Sequence, residues 1–200
     1  MFRYNITMEI EYEAKFTNIN KDNFRQKLKS VGAVLTKPET IYKRTVFFPP
    51  KDHNIFGSWV RVRDEGDKIT MSYKVTTNGN IETQKEIMLI VDDYDNACQF
   101  LLNLGCKEKA YQETKREIWD LNGVEITIDE WPHIEPYTEI EGKNEEVVKQ
   151  TAKILGFDYS QAIFGAVDQI ISKKYKISES VINDKIKRIV FGEENPFLKW

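Results

Sequence analysis

"EIEYEAKF", Glu9 to Phe16, is the stretch on which the reading of this chain turns. Glu9, Glu11 and Glu13 take every second position, and Lys15 continues the phase. Ile10, Tyr12 and Ala14 fill the positions between. Alternation with a period of two is a strand pattern, because successive side chains of a strand point to opposite faces. One face of this strand therefore gathers carboxylates and an ammonium, and the other can pack. Like charges held side by side repel and cost stability, so the face asks for a ligand of opposite charge.

Outward from this strand, set at residues 6–17, the chain alternates strands and helices. Residues 21–31 carry Phe24, Leu28 and Val31 at helical spacing, with Gly32 as a stop. Strands are expected at 40–48, 58–64, 69–77 and 82–91, separated by the turn signals "PPKDHN", "DEGDK" and "TTNGN". A second helix is expected from Tyr94 to Leu104, ending at Gly105, then strands at 112–120, 123–130 and 136–141. Helices are expected at 144–155 and 159–174, the second a packing helix that could also cover a dimer interface. The tail, 178–200, reads as a short helix, "SVINDKIKRIV", and an irregular end. No Gly-, Ser- or Pro-rich linker divides the chain. The order strand, helix, glycine, strand occurs twice, with Gly32 matching Gly105, Glu11 falling on Gln84 and Glu13 on Glu86. That echo points to two related halves of one antiparallel sheet that can close into a barrel.

Composition sets the class. Two hundred residues suit one domain with at most an extension, and 40% hydrophobic residues supply a core. The net charge of -3 argues against a dedicated nucleic-acid binder. No apolar run approaches the ~18 residues of a membrane span, and "MFRYNITMEIEYEAKF" lacks a signal-peptide apolar segment. A cytoplasmic location is the default expectation. Cys98 and Cys106 read as reduced packing residues.

The polar phase of each strand carries the function. "WVRVRDE" groups Arg61 with Arg63 against Val60 and Val62. "ITMSYKV" groups Thr70, Ser72 and Lys74, and "YTEIEG" groups Glu139 with Glu141. Loosely mixed polar residues would mark a solvated face. Here some strands offer mainly Glu and others mainly Arg or Lys. On a closed sheet they line a tunnel with acidic and basic sectors. Arg and Lys suit phosphate oxygens. Clustered carboxylates suit Mg²⁺ or Mn²⁺, hard cations that share oxygen ligands with substrate phosphates. Together the sectors fit a metal–polyphosphate complex.

These residues resemble the CYTH superfamily, the triphosphate tunnel metalloenzymes that include class IV adenylate cyclases, thiamine triphosphatases and inorganic triphosphatases. The ExExK signature is matched by Glu11, Glu13 and Lys15. The likeness continues through Arg61-x-Arg63, Lys74, "KR" at 115–116 and "IDEWPHIEPYTEIEG" at 128–142. The resemblance covers about residues 8–175 and implies an α+β fold, a closed eight-stranded antiparallel β-barrel tunnel with flanking helices. Residues 1–175 would form the tunnel domain and 176–200 a C-terminal helical extension packed on it.

It also implies roles. Lys15, Arg61, Arg63, Lys74 and Arg116 would hold the phosphate chain. Glu11, Glu13, Glu139 and Glu141, with Asp129 and Glu86, would hold one or two Mg²⁺ or Mn²⁺ ions, and Lys15, Glu13 and Glu141 would be catalytic. The region "ETQKEIMLIV" departs from the family's Arg-x-Glu-x-Glu strand, leaving Glu86 as the match and Glu82 as a second candidate. Tyr42 is a candidate for the tyrosine that pairs with a lysine in some triphosphatases, with packing as its ordinary role. The cyclases' N-terminal His-Phe motif is absent; His53 and His133 fall in loops. Trp131 with Pro132 is expected to shape a turn.

The expected function is metal-dependent hydrolysis of a triphosphate-containing small molecule, inorganic, nucleoside or thiamine triphosphate. The alternatives are a class IV adenylate cyclase and a non-catalytic polyphosphate- or nucleotide-binding module. Neither a nucleic acid nor a membrane is expected as partner; a homodimer is compatible with the packing helix. A P-loop, a His-Glu-x-x-His zinc site and a Gly-x-Ser-x-Gly elbow are all missing from the sequence.

Overall fold

The computed structural model describes residues 8–53, 55–76 and 81–200. The expected strand start at residues 6 and 7, and residues 77–80 of the "TTNGN" turn, lie outside them. The elements run β1 (Glu9–Ile10), β2 (Tyr12–Phe16), α1 (Lys21–Ser30), β3 (Val34–Phe48), β4 (Ser58–Asp64), β5 (Ile69–Thr76) and β6 (Gln84–Val91). Then come α2 (Tyr94–Asn103), β7 (Lys107–Leu121), β8 (Val124–Glu130), β9 (Tyr137–Gly142), α3 (Glu145–Leu155), α4 (Asp168–Tyr175), α5 (Glu179–Lys185) and β10 (Arg188–Ile189).

The strands form one sheet in the order β1-β6-β5-β4-β3-β7-β8-β9-β2. β1 and β2 are one strand interrupted at Glu11, so the two ends of this order meet and the barrel is nearly closed, with eight staves. The interruption corrects the expected continuous strand: the Glu13 N–H turns back to the Glu11 carbonyl at 3.1 Å, between β1, antiparallel to β6, and β2, antiparallel to β9.

The internal echo is carried by the backbone. α1 and α2 match at the offset of 73 residues that separates Glu11 from Gln84, and so do β3 and β7. Both helices are capped alike, Asn20 accepting from the Asn23 N–H and Asp93 from the Asn96 N–H. Gly32 and Gly105 both stand at positive φ where the chain leaves the helix. β3 and β7 pair antiparallel with each other along their length, and their register shifts near Pro38. Both strands exceed their expected spans of 40–48 and 112–120, because each supplies the other's ladder.

The barrel is polar inside and apolar outside. Tyr12, Ala14 and Phe16 face out beneath α1 and α3 in a cluster with Leu28, Ile126, Ile140 and Val148. Val60 and Val62 face out beneath α2, against Ala97 and Leu101. Helices cover the outer wall, so the charged phase of each strand is left to the interior.

The expected helix at 159–174 is split: Tyr159–Gln161 form a single 3₁₀ turn and the α-helix starts at Asp168. Gly165 stands at φ 93, which breaks the preceding turn. Ile163 instead bridges to Lys15 through two backbone hydrogen bonds of 2.9 and 3.0 Å, sealing the free edge of β2. α4 then turns Ile170 and Ile171 into a cluster with Trp131, Ile134, Tyr137, Ile182, Ile189 and Phe197. The apolar side assigned to packing or a dimer interface is thus buried within its own chain. The expected tail helix stops at Lys185, and β10 pairs parallel with β7 at Tyr111 and Gln112.

Candidate active site

The barrel encloses a cavity of about 940 Å³. Its wall is made by alternate residues of every stave, as the strand phases require. Glu11, Glu13, Lys15, Arg61, Arg63, Lys74, Glu86, Arg116, Glu139 and Glu141 all line it. Asp129 does not line it; it stands behind Arg116, 1% exposed, and accepts bonds of 2.7 and 3.0 Å from the Nε and Nη2 of that guanidinium. Glu82 lies in a short 3₁₀ turn before β6, off the cavity wall. Lys115, the other half of the "KR" pair, points outward to Glu130 at 3.2 Å.

The ions are paired across staves. Lys74 reaches Glu11 at 2.9 Å and Glu86 at 3.4 Å, and Arg61 reaches Glu86 at 3.3 Å. Lys15 contacts Glu13 and lies 3.3 Å from Glu139, which also contacts Arg116. Arg116, the most open of these side chains, is still only 17% exposed, so the pairs sit in poor solvent where each charge needs its partner. Burial disfavours the charges of Lys15 and Glu139, yet their mutual attraction and their other partners outweigh it. Lys15 is therefore raised and Glu139 held below the usual carboxylate range.

Glu141 differs from its neighbours. It has no ion pair among the described residues, and its strand neighbours are Glu13 on β2 and Glu125 on β8. Burial first, then Glu13, Glu11 and Glu125, push its carboxyl up to about 8. Burial also lifts Glu11 to about 7 against the pull of Lys74. The row Glu13–Glu141–Glu125 is thus a set of carboxylates placed directly opposite one another, an arrangement that destabilises a sheet by itself. Hard divalent cations take such oxygen donors. Among the described residues no group of three carboxylates is already drawn together around a point. Glu13 is held by Lys15, so loading a metal means exchanging ion pairs for metal–oxygen bonds.

Sequence reading missed several wall residues. Glu65 was assigned to a turn, but it continues the phase of Arg61 and Arg63 and accepts from the Arg63 Nε at 2.9 Å and from Thr70. Glu125 continues the phase of Thr127 and Asp129, a signal that alternation carried. Arg44 shares the inner wall with Tyr42 and Val46, a phase too apolar to stand out. Tyr42 is buried, faces the cavity and has the Lys37 ammonium 4.9 Å above its ring. Trp131 is a wall residue that stacks under Arg44, rather than a residue of a turn alone.

Comparison with known proteins follows this geometry. A protein of Methanocaldococcus jannaschii, provisionally named adenylate cyclase MJ0240, is 25% identical over 175 residues, covering 83% of this chain and 96% of its own. The PH1012 protein of Pyrococcus horikoshii has the same fold, with a TM-score of 0.64 at 22% identity, over 76% of this chain and 94% of its own. The Hippeastrum protein HpAC1 shares the fold at a TM-score of 0.53 and 13% identity, over 84% of this chain and 97% of its own. The model of the CYTH domain matches residues 9–170. The chain, a nearly closed tunnel with acidic and basic walls, belongs to the CYTH domain family.

Proposed function

We propose that the tunnel binds a triphosphate-containing small molecule with Mg²⁺ or Mn²⁺ and hydrolyses it. The observation that carries this reading is the inner wall itself, where Lys15, Lys74, Arg61 and Arg116 hold carboxylates that a bound polyphosphate and metal would replace. Lys15, Arg61, Arg63, Lys74 and Arg116 bind and align the phosphate chain. Glu13 and Glu141, with Glu11, Glu86 and Glu139, offer the metal its oxygens, and Asp129 fixes Arg116. A metal held by these carboxylates would neutralise phosphate charge and acidify a water. In the hydrolysis water attacks the terminal phosphorus in line and gives up a proton, and the bond to the bridging oxygen breaks, leaving orthophosphate and the shortened phosphate chain. The side chains supply orientation and charge, and the walls keep bulk water out.

Family membership supports a triphosphate-related activity, and HpAC1 is reported to have a dominant triphosphatase activity. The name of the M. jannaschii relative favours a second reading, a cyclase in which the ribose 3′-hydroxyl attacks the α-phosphorus. The two give different products. Incubation with tripolyphosphate and, separately, ATP in Mg²⁺ and Mn²⁺ should release orthophosphate from tripolyphosphate and make no cyclic AMP. Cyclic AMP and pyrophosphate from ATP, with tripolyphosphate intact, would establish the cyclase instead. Tight tripolyphosphate binding with no product from either compound would leave a binding module.

A further inference from the structure

Arg44 is a cation of the tunnel that belongs to none of the pairs described above. Arg44 projects from β3 into the cavity, beside Arg63 of β4 and Gln112 of β7. Arg63 has Glu65, Arg61 has Glu86, and Arg116 has Asp129 and Glu139. The Arg44 side chain has no ion pair and no hydrogen bond among the described residues. Its guanidinium lies over the Trp131 indole, 4.1 Å from the ring centroid, and its Nε is buried without an acceptor. The Nε of Arg61, on the adjacent stave, is in the same condition. A buried donor without an acceptor is costly, and a half-buried guanidinium without a counter-ion adds to that cost. Burial and the neighbouring Arg61 and Arg63 pull Arg44 down to about 9, the mark of a crowded, uncompensated cation.

Trp131 is itself held from behind. It shares a core cluster with Ile171, Ile182, Ile189 and Phe197, mostly from the chain beyond the family match, which ends at residue 170. The indole therefore presents a fixed face that holds the guanidinium with its other side toward the cavity. In the order of staves, β3 lies opposite the β1–β2 stave whichever way the ring is followed. Arg44 thus stands across the cavity from Glu11 and Glu13.

We propose that Arg44 is an anion-contacting residue of the tunnel, gripping phosphoryl oxygens of a bound polyphosphate on the side turned away from the carboxylate wall. This rests on the triphosphate reading given above. Because its contact is on the opposite wall from the carboxylates, its contribution does not depend on metal. Titration calorimetry of the full chain with tripolyphosphate, in EDTA and in Mg²⁺, tests this. Arg44→Gln should weaken binding about ten- to a hundredfold in both conditions, the range of a lost charge-assisted contact. The ligand-free variant should melt no lower than the native chain, because a cation crowded by Arg61 and Arg63, with a buried Nε lacking an acceptor, has been removed. Arg44→Lys should recover part of the affinity. Equal affinity of Arg44→Gln and the native chain would overturn the assignment and leave the triphosphate reading standing. So would a fall in melting temperature that Arg44→Lys does not repair, since that marks a prop for Trp131. If the native chain binds no tripolyphosphate, both readings fail together.

Discussion

At the residue scale, Glu141 concentrates the like-charge cost of the tunnel wall. It faces Glu13 and Glu125 across its two strand neighbours and has no ion pair among the described residues. Glu141→Gln keeps the shape and removes the charge. Metal-dependent turnover should fall on the order of a hundredfold, as for loss of a group that stabilises transition-state charge. The fold should be unharmed. Equal rates in variant and native chain would remove Glu141 from the site. A pH dependence follows from the same carboxyls. Glu141 at about 8, Glu11 at about 7 and Asp129 at about 6 hold protons in the folded chain that the unfolded chain gives up near 4.5, 4.5 and 3.8. The folded state thus binds more protons between roughly pH 4.5 and 8, and its stability falls as pH rises through that window. Glu86 and Glu139, held below the usual range, act only under more acidic conditions. The melting temperature of metal-free protein should drop from pH 5 to pH 8.5, and drop less in Glu141→Gln. A melting temperature that is flat or rises over that range would contradict the burial of these groups.

At the element scale, closure depends on backbone pairing at the edge of β2. The Ile163 N–H donates to the Lys15 carbonyl at 3.0 Å, and the Lys15 N–H donates back to Ile163 at 2.9 Å. Proline has no N–H, so Ile163→Pro leaves the Lys15 carbonyl unpaired. The expected loss is about 1–3 kcal/mol, measured by urea unfolding. Turnover should fall with it, because the same residue carries the Lys15 ammonium into the tunnel. Unchanged stability would mean that this bridge does not close the barrel. Two of the sequence-level elements needed revision for reasons of this kind. The strand from 6 to 17 breaks where the Glu13 N–H turns back to the Glu11 carbonyl at 3.1 Å, a bond that takes the place of the ladder between β1 and β2. The helix from 159 to 174 starts late because Gly165 and the open edge of β2 both take the chain away from helical geometry.

At the scale of the whole molecule, the C-terminal residues finish one end of the tunnel. Ile182, Ile189 and Phe197 bury Trp131 and Tyr137, and Ile171, Ile182 and Ile189 reach the cavity wall. Phe197 is 1% exposed and stacks near Tyr175 and His133. Phe197→Ala should cost about 3–5 kcal/mol, the range for a buried aromatic truncated in a packed core. If the extension were a loosely attached tail, thermal melting would show no change.

Sequence alone determined the faces. Period-two alternation placed Glu11, Glu13 and Lys15 on one side and Tyr12, Ala14 and Phe16 on the other, and the same rule separated Arg61 and Arg63 from Val60 and Val62. Those faces, and the repeated strand–helix–glycine order, were local properties, so the polar lining and the two-halved sheet were legible. Which charges meet was not. Glu65 ended up on Arg63, Asp129 behind Arg116, and Arg44 on Trp131 without a carboxylate. Those outcomes depend on strand register and on where residues 168–197 fold back. Alternation says which way a side chain points, but only closure of the barrel sets which stave it faces across the cavity.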